Sequence, residues 1–132
     1  MLRKVVKYCN ILLAVNWLQT FYMYMRVRKP RSSSIRVIHK SSICLAQSAK
    51  IEMEENSFFE INRQDYLTTG EKSTLFIAEN GVLKISGSFT MHGESKIMIH
   101  KGGVVEIGNH SYLNGGSVEC SSHVYIGEEC AI

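Results

Sequence analysis

In the segment VEIGNHSYLNGGSVECSSHVYIGEECAI, residues 105–132, aliphatic side chains return every six residues. That beat fits neither a helix, whose apolar face recurs every 3.6 residues, nor a plain strand, whose faces alternate every two. It marks a repeat of short strands and corners, which confines the chain to a solenoid. The beat starts at Ile77: Ile77, Leu83 and Phe89 stand six apart, as do Ile85, Met91 and Ile97. The pairs Ile99/Val105, Ile107/Leu113, Val118/Val124 and Ile126/Ile132 continue it. One five-residue step, from Leu113 to Val118, reads as a deletion at a corner.

Four residues after each anchor stands a small residue: Gly81, Gly87, Ser95, Gly103, Ser111, Ser117, Ser122 and Cys130. A flat-sided coil needs this, because only a small side chain fits beside the inward anchor where the chain turns. Three such units predict one triangular turn of about 18 residues. Successive turns would stack at about 4.8 Å and bury each other's aliphatics in a ladder.

Upstream, Ile35/Val37, Ile43/Leu45 and Ile51/Met53 form alternating pairs eight apart, which predicts short strands separated by tight bends. The rhythm breaks over about 54–76, read as an irregular loop. Before Ile35, RKPRSSS predicts a linker at 29–34, since Pro30 pushes its predecessor out of the helical region and serines compete for backbone hydrogen bonds. Residues 1–28, free of Gly and of any Pro, predict one basic amphipathic helix running from Leu2 to about Val27. The expected organisation is therefore a helix, a linker, and an all-β parallel β-helix over 35–132.

Charge divides the chain in the same way. Residues 1–50 carry ten Lys/Arg and no Asp/Glu, whereas 51–132 carry five Lys/Arg and twelve Asp/Glu. All ten glycines lie at Gly70 or beyond, so the turn-rich part is the acidic part. The four cysteines, Cys9, Cys44, Cys120 and Cys130, form no CxxC pair, which argues against a zinc ribbon or a disulfide framework and for a reduced, cytosolic chain. The apolar stretch Cys9–Met25 is 17 residues long and holds Asn10, Asn16 and Gln19, at the short and polar edge of what spans a bilayer. FYMYMRVRK offers no small-residue cleavage site for a secretory signal.

VEIGNHSYLNGGSV and VYIGEECAI resemble the hexapeptide-repeat acyltransferases. Within that superfamily, the basic leader and GVLKISGSFTMHGESKIMIHKGGVVEIG are similar to the O-acetyltransferases of capsule, exopolysaccharide and lipopolysaccharide synthesis. The resemblance implies a left-handed parallel β-helix, a homotrimer, and acetyl-CoA as co-substrate in the cleft between neighbouring β-helices. No bound cofactor is implied. It also implies transfer of the acetyl group to a saccharide hydroxyl, with a histidine as general base, a task suited to imidazole near neutral pH. In the family that histidine belongs to an aspartate-containing motif on the coil after the IGxxCxI unit, and nothing up to Ile132 matches it. The expectation is an incomplete reading frame, with no catalytic residue assigned within 1–132. A non-enzymatic β-helix scaffold and an amino-acid acetyltransferase of the same superfamily are the competing readings; the latter usually carries a longer helical N-terminal domain.

The remaining candidates have plainer readings beside them. His92 and His100 follow inward anchors and should point outward, while His110 and His123 are expected in turns. Their spacings of 8, 10 and 13 contain no close ligand pair, so no metal site is expected. Cys130 reads as a packed corner thiol and Cys120 as one that could be exposed. Asn114–Gly116 reads as a corner turn before it reads as an anion cradle. No nucleic-acid motif accompanies the basic leader. Trp17, Phe21, Tyr22 and Tyr24 suit a membrane surface, which would make the protein peripheral at the inner face of the membrane. The same helix could instead cap the open first coil, and both readings stand.

Overall fold

The computed structural model describes Lys4 and residues 15–63 and 72–132. One helix, α1 (Trp17–Arg26), leads into thirteen short strands. They run β1 (Val27–Arg28), β2 (Ser34–Val37), β3 (Ser42–Leu45), β4 (Lys50–Met53), β5 (Phe58–Arg63), β6 (Thr74–Ile77) and β7 (Val82–Ile85). After these come β8 (Ser88–His92), β9 (Lys96–Ile99), β10 (Val104–Ile107), β11 (Ser111–Leu113), β12 (Ser117–Cys120) and β13 (His123–Ile126). Every third strand falls in the same sheet, giving three walls ordered β1-β4-β7-β10-β13, β2-β5-β8-β11 and β3-β6-β9-β12. Every strand pairing in them is parallel. Over residues 15–63 and 72–132 the protein is a parallel β-helix preceded by the helix α1.

Inward residues stack in columns because the strands are in register. Ile51, Leu83, Val105 and Val124 form one rung series, and Ile43, Leu75, Ile97 and Val118 another. A third runs Ile35, Phe59, Phe89 and Ser111, with the Phe59 and Phe89 rings stacked at 5.7 Å. All the expected anchors from Ile77 to Leu113 are buried, and so is Ile126. Val118 and Val124 are only half-buried and Ile132 is exposed, because no further rung lies against them in the described structure.

The coil is wider than 18 residues. Val82 faces Val104, 22 residues on, and Val104 faces His123, 19 on. Corners explain the difference: two residues separate β7 from β8, but four separate β6 from β7 and β9 from β10. Each corner has its own ladder of small residues. Ser73 Oγ donates to His92 O and Ser95 Oγ to Leu113 O, both at 2.7–2.8 Å, so these buried hydroxyls tie each coil to the next. Gly81 and Gly103 turn where a Cβ would lie 2.7 Å from Ile77 Cγ2 and 2.6 Å from Cys120 O, respectively. Of the other expected corner residues, Ser111 is buried on the inward column of β11, Ser117 is exposed on β12, and Cys130 is half-buried.

The front of the chain departs from expectation in two ways. Val15 pairs antiparallel with Ile38 and Asn16 is an extended N-cap, so α1 begins at Trp17 and is not continuous with the residues before it. Lys4 is helical, and the rest of 1–14 lies outside the described residues. The expected linker at 29–34 is a corner, since Val27 and Arg28 already pair with Ile51 and Glu52. Of the span 54–76 expected to be irregular, Phe58–Ile61 and the start of Thr74–Ile77 are in-register rungs, the β5 pairing shifts after Ile61, and 64–71 lie outside the described residues.

α1 closes the first coil. Met23 is fully buried on the end of the ladder, and polar side chains of the helix meet backbone groups at the edge of the first coil. Val37 N donates to Thr20 Oγ1 (3.0 Å), Gln19 Nε2 donates to Ser41 O (3.0 Å), and Arg26 Nη2 donates to Ala46 O. Buried strand edges carry a large penalty when left unpaired, so this capping is a requirement of the solenoid.

Candidate functional site

Because side chains fill the interior, any chemistry must sit on the outer faces or between copies. On the wall containing β10, one outward row reads Glu52, Lys84, Glu106 and Tyr125. Lys84 Nζ donates to Glu106 Oε1 at 3.1 Å, and His123 Nε2 lies 3.3 Å from the same oxygen. The hydrogen bond from Lys84 holds the Glu106 carboxyl below the usual carboxylate range, aided by the charges of Lys84 and His123 and opposed by partial desolvation. The carboxylate therefore pairs with Lys84 and orients the His123 imidazole, but on an open face.

The wall containing β5 holds a buried polar knot. Glu60 is buried, accepts from Arg36 Nη1 at 2.9 Å, and has Arg63 Nε at 3.7 Å. Arg36 also lies over the Phe58 ring, 5.4 Å from its centroid. Next to it Asn62, at φ +64°, donates from Nδ2 to His39 O (2.8 Å), while its buried Oδ1 has no hydrogen-bond partner among the described residues. The pairing of β5 with β8 shifts register here, between Ile61 and Arg63.

Two shallow grooves lie elsewhere. One, of about 560 Å³, is lined by Lys72, Thr74, Glu94, Lys96, Gly115, Gly116 and Ser117. The other, of about 440 Å³, is lined by Arg28, Lys29, Pro30, Glu52, Met53 and Glu54. Neither brings a histidine or cysteine to its wall.

The histidines are dispersed. His92 is half-buried with its ring edge-on to Tyr112 at 5.6 Å, His100 is half-buried at the end of β9, and His110 takes a positive φ in an exposed corner. His123 opens β13 and faces outward from a strand, which corrects its expected place in a turn. Cys120 is also corrected: it is buried at the register of Ile99, and its thiol donates to Val104 O at 3.3 Å. The amides of Asn114 and Gly115 are committed to Ile132 O and Ser95 Oγ, so NGG is a corner and not an anion cradle. Sequence reasoning missed the Lys84–Glu106–His123 cluster, although the outward parity of those residues beside Val105 and Val124 was available to find it. Among the described residues no group of three or more His, Cys, Asp or Glu could hold a metal ion, and no helix is long and apolar enough to cross a membrane.

No protein-family model matches the chain, and no curated protein or solved structure matches it either.

Proposed function

We propose that this β-helix is part of an O-acyltransferase that moves an acetyl group from acetyl-CoA to a saccharide hydroxyl, working as a trimer in the cytoplasm. One observation supports the reading beyond the motifs themselves. In the coil that carries VEIGNHSYLNGGSV, the step contracts: the inward residues Ser111, Val118 and Val124 stand seven and six apart, close to a strict hexad, where the preceding coil is wider. The chain thus approaches hexapeptide geometry where the resemblance is strongest.

The reaction needs a base that takes the acceptor hydroxyl proton as its oxygen attacks the thioester carbonyl, with the sulfur leaving as coenzyme A thiol. The resemblance places that base in an aspartate-containing motif that nothing in residues 1–132 matches. Neither of the two grooves is lined by a histidine, and His123 is engaged on an open face with Glu106.

The test is transfer of radiolabelled acetyl from acetyl-CoA to oligosaccharide acceptors. The 132-residue chain should bind acetyl-CoA but transfer no label, because the resemblance assigns no base within it. Transfer by the 132-residue chain would misplace the base. Filaments of the protein with no acetyl-CoA binding would establish the scaffold reading instead.

A further inference from the structure

We propose that the outward face of α1 is a docking surface for an anionic membrane, and that the β-helix stands with its first coil towards the lipid. This is independent of the acyl-transfer reading.

Capping accounts for one face of α1 only. Asn16, Gln19, Thr20 and Met23 face the first coil and are engaged there. A helix that merely covers a core turns polar residues to solvent. Here the opposite face carries Leu18, Phe21 and Met25 at 80%, 64% and 73% exposure, on one stripe by their spacing of three and four, with Trp17 beside them at 59%. Tyr22 and Tyr24 flank the stripe and are exposed as well. Leucine, phenylalanine and methionine bordered by tryptophan and tyrosine is the composition of a helix lying at a membrane interface.

Charge selects the partner. Arg28 and Arg31 follow the helix and are exposed, and the chain has no Asp or Glu before Glu52. The remainder, with twelve acidic against five basic residues from Ile51 on, is repelled by an anionic leaflet. Attraction at one end and repulsion along the body orient the solenoid end-on. The ten-residue helix rises only about 15 Å, half of what a bilayer core requires, so it lies on the surface. Glu52 and Glu54 lie beside Arg28 and Lys29 on the neighbouring strand, but the first fifty residues carry ten basic and no acidic side chains, a bias that an anionic surface calls for and an apolar protein groove does not.

Trp17 is the one tryptophan of the chain and sits at the edge of the stripe, so its emission reports docking directly. The protein is titrated with vesicles of equal parts phosphatidylcholine and phosphatidylglycerol, and with phosphatidylcholine alone. Anionic vesicles should shift the emission to the blue, neutral vesicles should not, and added salt should weaken the response. L18Q/F21Q/M25Q should lose at least about ten-fold in affinity, and R28Q/R31Q about five-fold for each charge, both with unchanged thermal unfolding. No shift with anionic vesicles, or equal binding by L18Q/F21Q/M25Q, overturns the proposal. A blue shift that grows with protein concentration in the absence of lipid also overturns it, by assigning the face to a second copy of the chain.

Discussion

Gly87 is a tightly constrained backbone position of the solenoid. Its φ is +108°, and a Cβ there would fall 2.0 Å from Asn109 Oδ1, the atom that accepts from the amides of Ser88 and His110. Gly87→Ala is expected to destabilise by about 2 kcal/mol or more, whereas Gly102→Ala, also at positive φ but with no atom within 4 Å, should cost about 1 kcal/mol. Urea unfolding of the two variants checks the order, and equal costs would show that the Asn109 bridge is dispensable. Gly87 is visible in the sequence as a small residue after an anchor. Its partner Asn109 is not, because a side chain reaching to the next coil has no signature in its own neighbourhood. Glu106 is hidden for the same reason: only stacking brings Lys84 and His123 to it. Its depressed pKa means that the carboxylate stabilises the fold above the ordinary carboxylate range and that this contribution disappears as pH falls through the folded-state value. The wild type should therefore melt above E106Q near neutral pH, and the two should converge in acid. A gap independent of pH would contradict the assignment.

At the scale of elements, the cap is the most exposed weakness of a β-helix, and Thr20 sits at its centre. Its hydroxyl is buried between Val37 N and Val37 O, at 3.0 and 3.5 Å. Thr20→Val keeps the shape but strands a buried amide, so a loss of about 1–3 kcal/mol is expected. Thermal unfolding measures it, and the loss should exceed that of Thr20→Ser, which keeps the acceptor. The strands are legible from parity and spacing, since burial on one face forces alternation. The start of α1 is legible too, in a feature the apolar run obscures. Asn16 accepts from Gln19 N, and its amide donates back to Gln19 Oε1, a reciprocal cap three residues apart. A continuous helix from Leu2 is expected only if the apolar content of 9–25 outweighs that pair. The corner at Pro30–Ser33 resembles a linker because both want proline and serine. What distinguishes them is the pairing of Val27 with Ile51, a contact across a whole coil.

For the whole molecule, a single number in the sequence stands for two geometries. Leu83 to Phe89 is a step from first inward residue to first inward residue across a two-residue corner, while Ile77 to Leu83 is a step from the last of one strand to the first of the next across four. Both are six, so the beat predicts the solenoid and its core correctly and the coil length wrongly. The 22-residue turn follows once the corners are told apart. The hand of the winding entered with the family resemblance, because repeat length carries no chirality. The acidic body and the acid-free, apolar front are a second property of the whole chain, and they separate the face that covers the ladder from the face offered outward. The proposed function requires that acetyl-CoA be held between neighbouring β-helices, and equilibrium binding of acetyl-CoA to the protein tests it most directly. Saturable binding at one site per subunit is the predicted result. No binding would contradict the proposal, because a donor that is not held cannot give up its acetyl group.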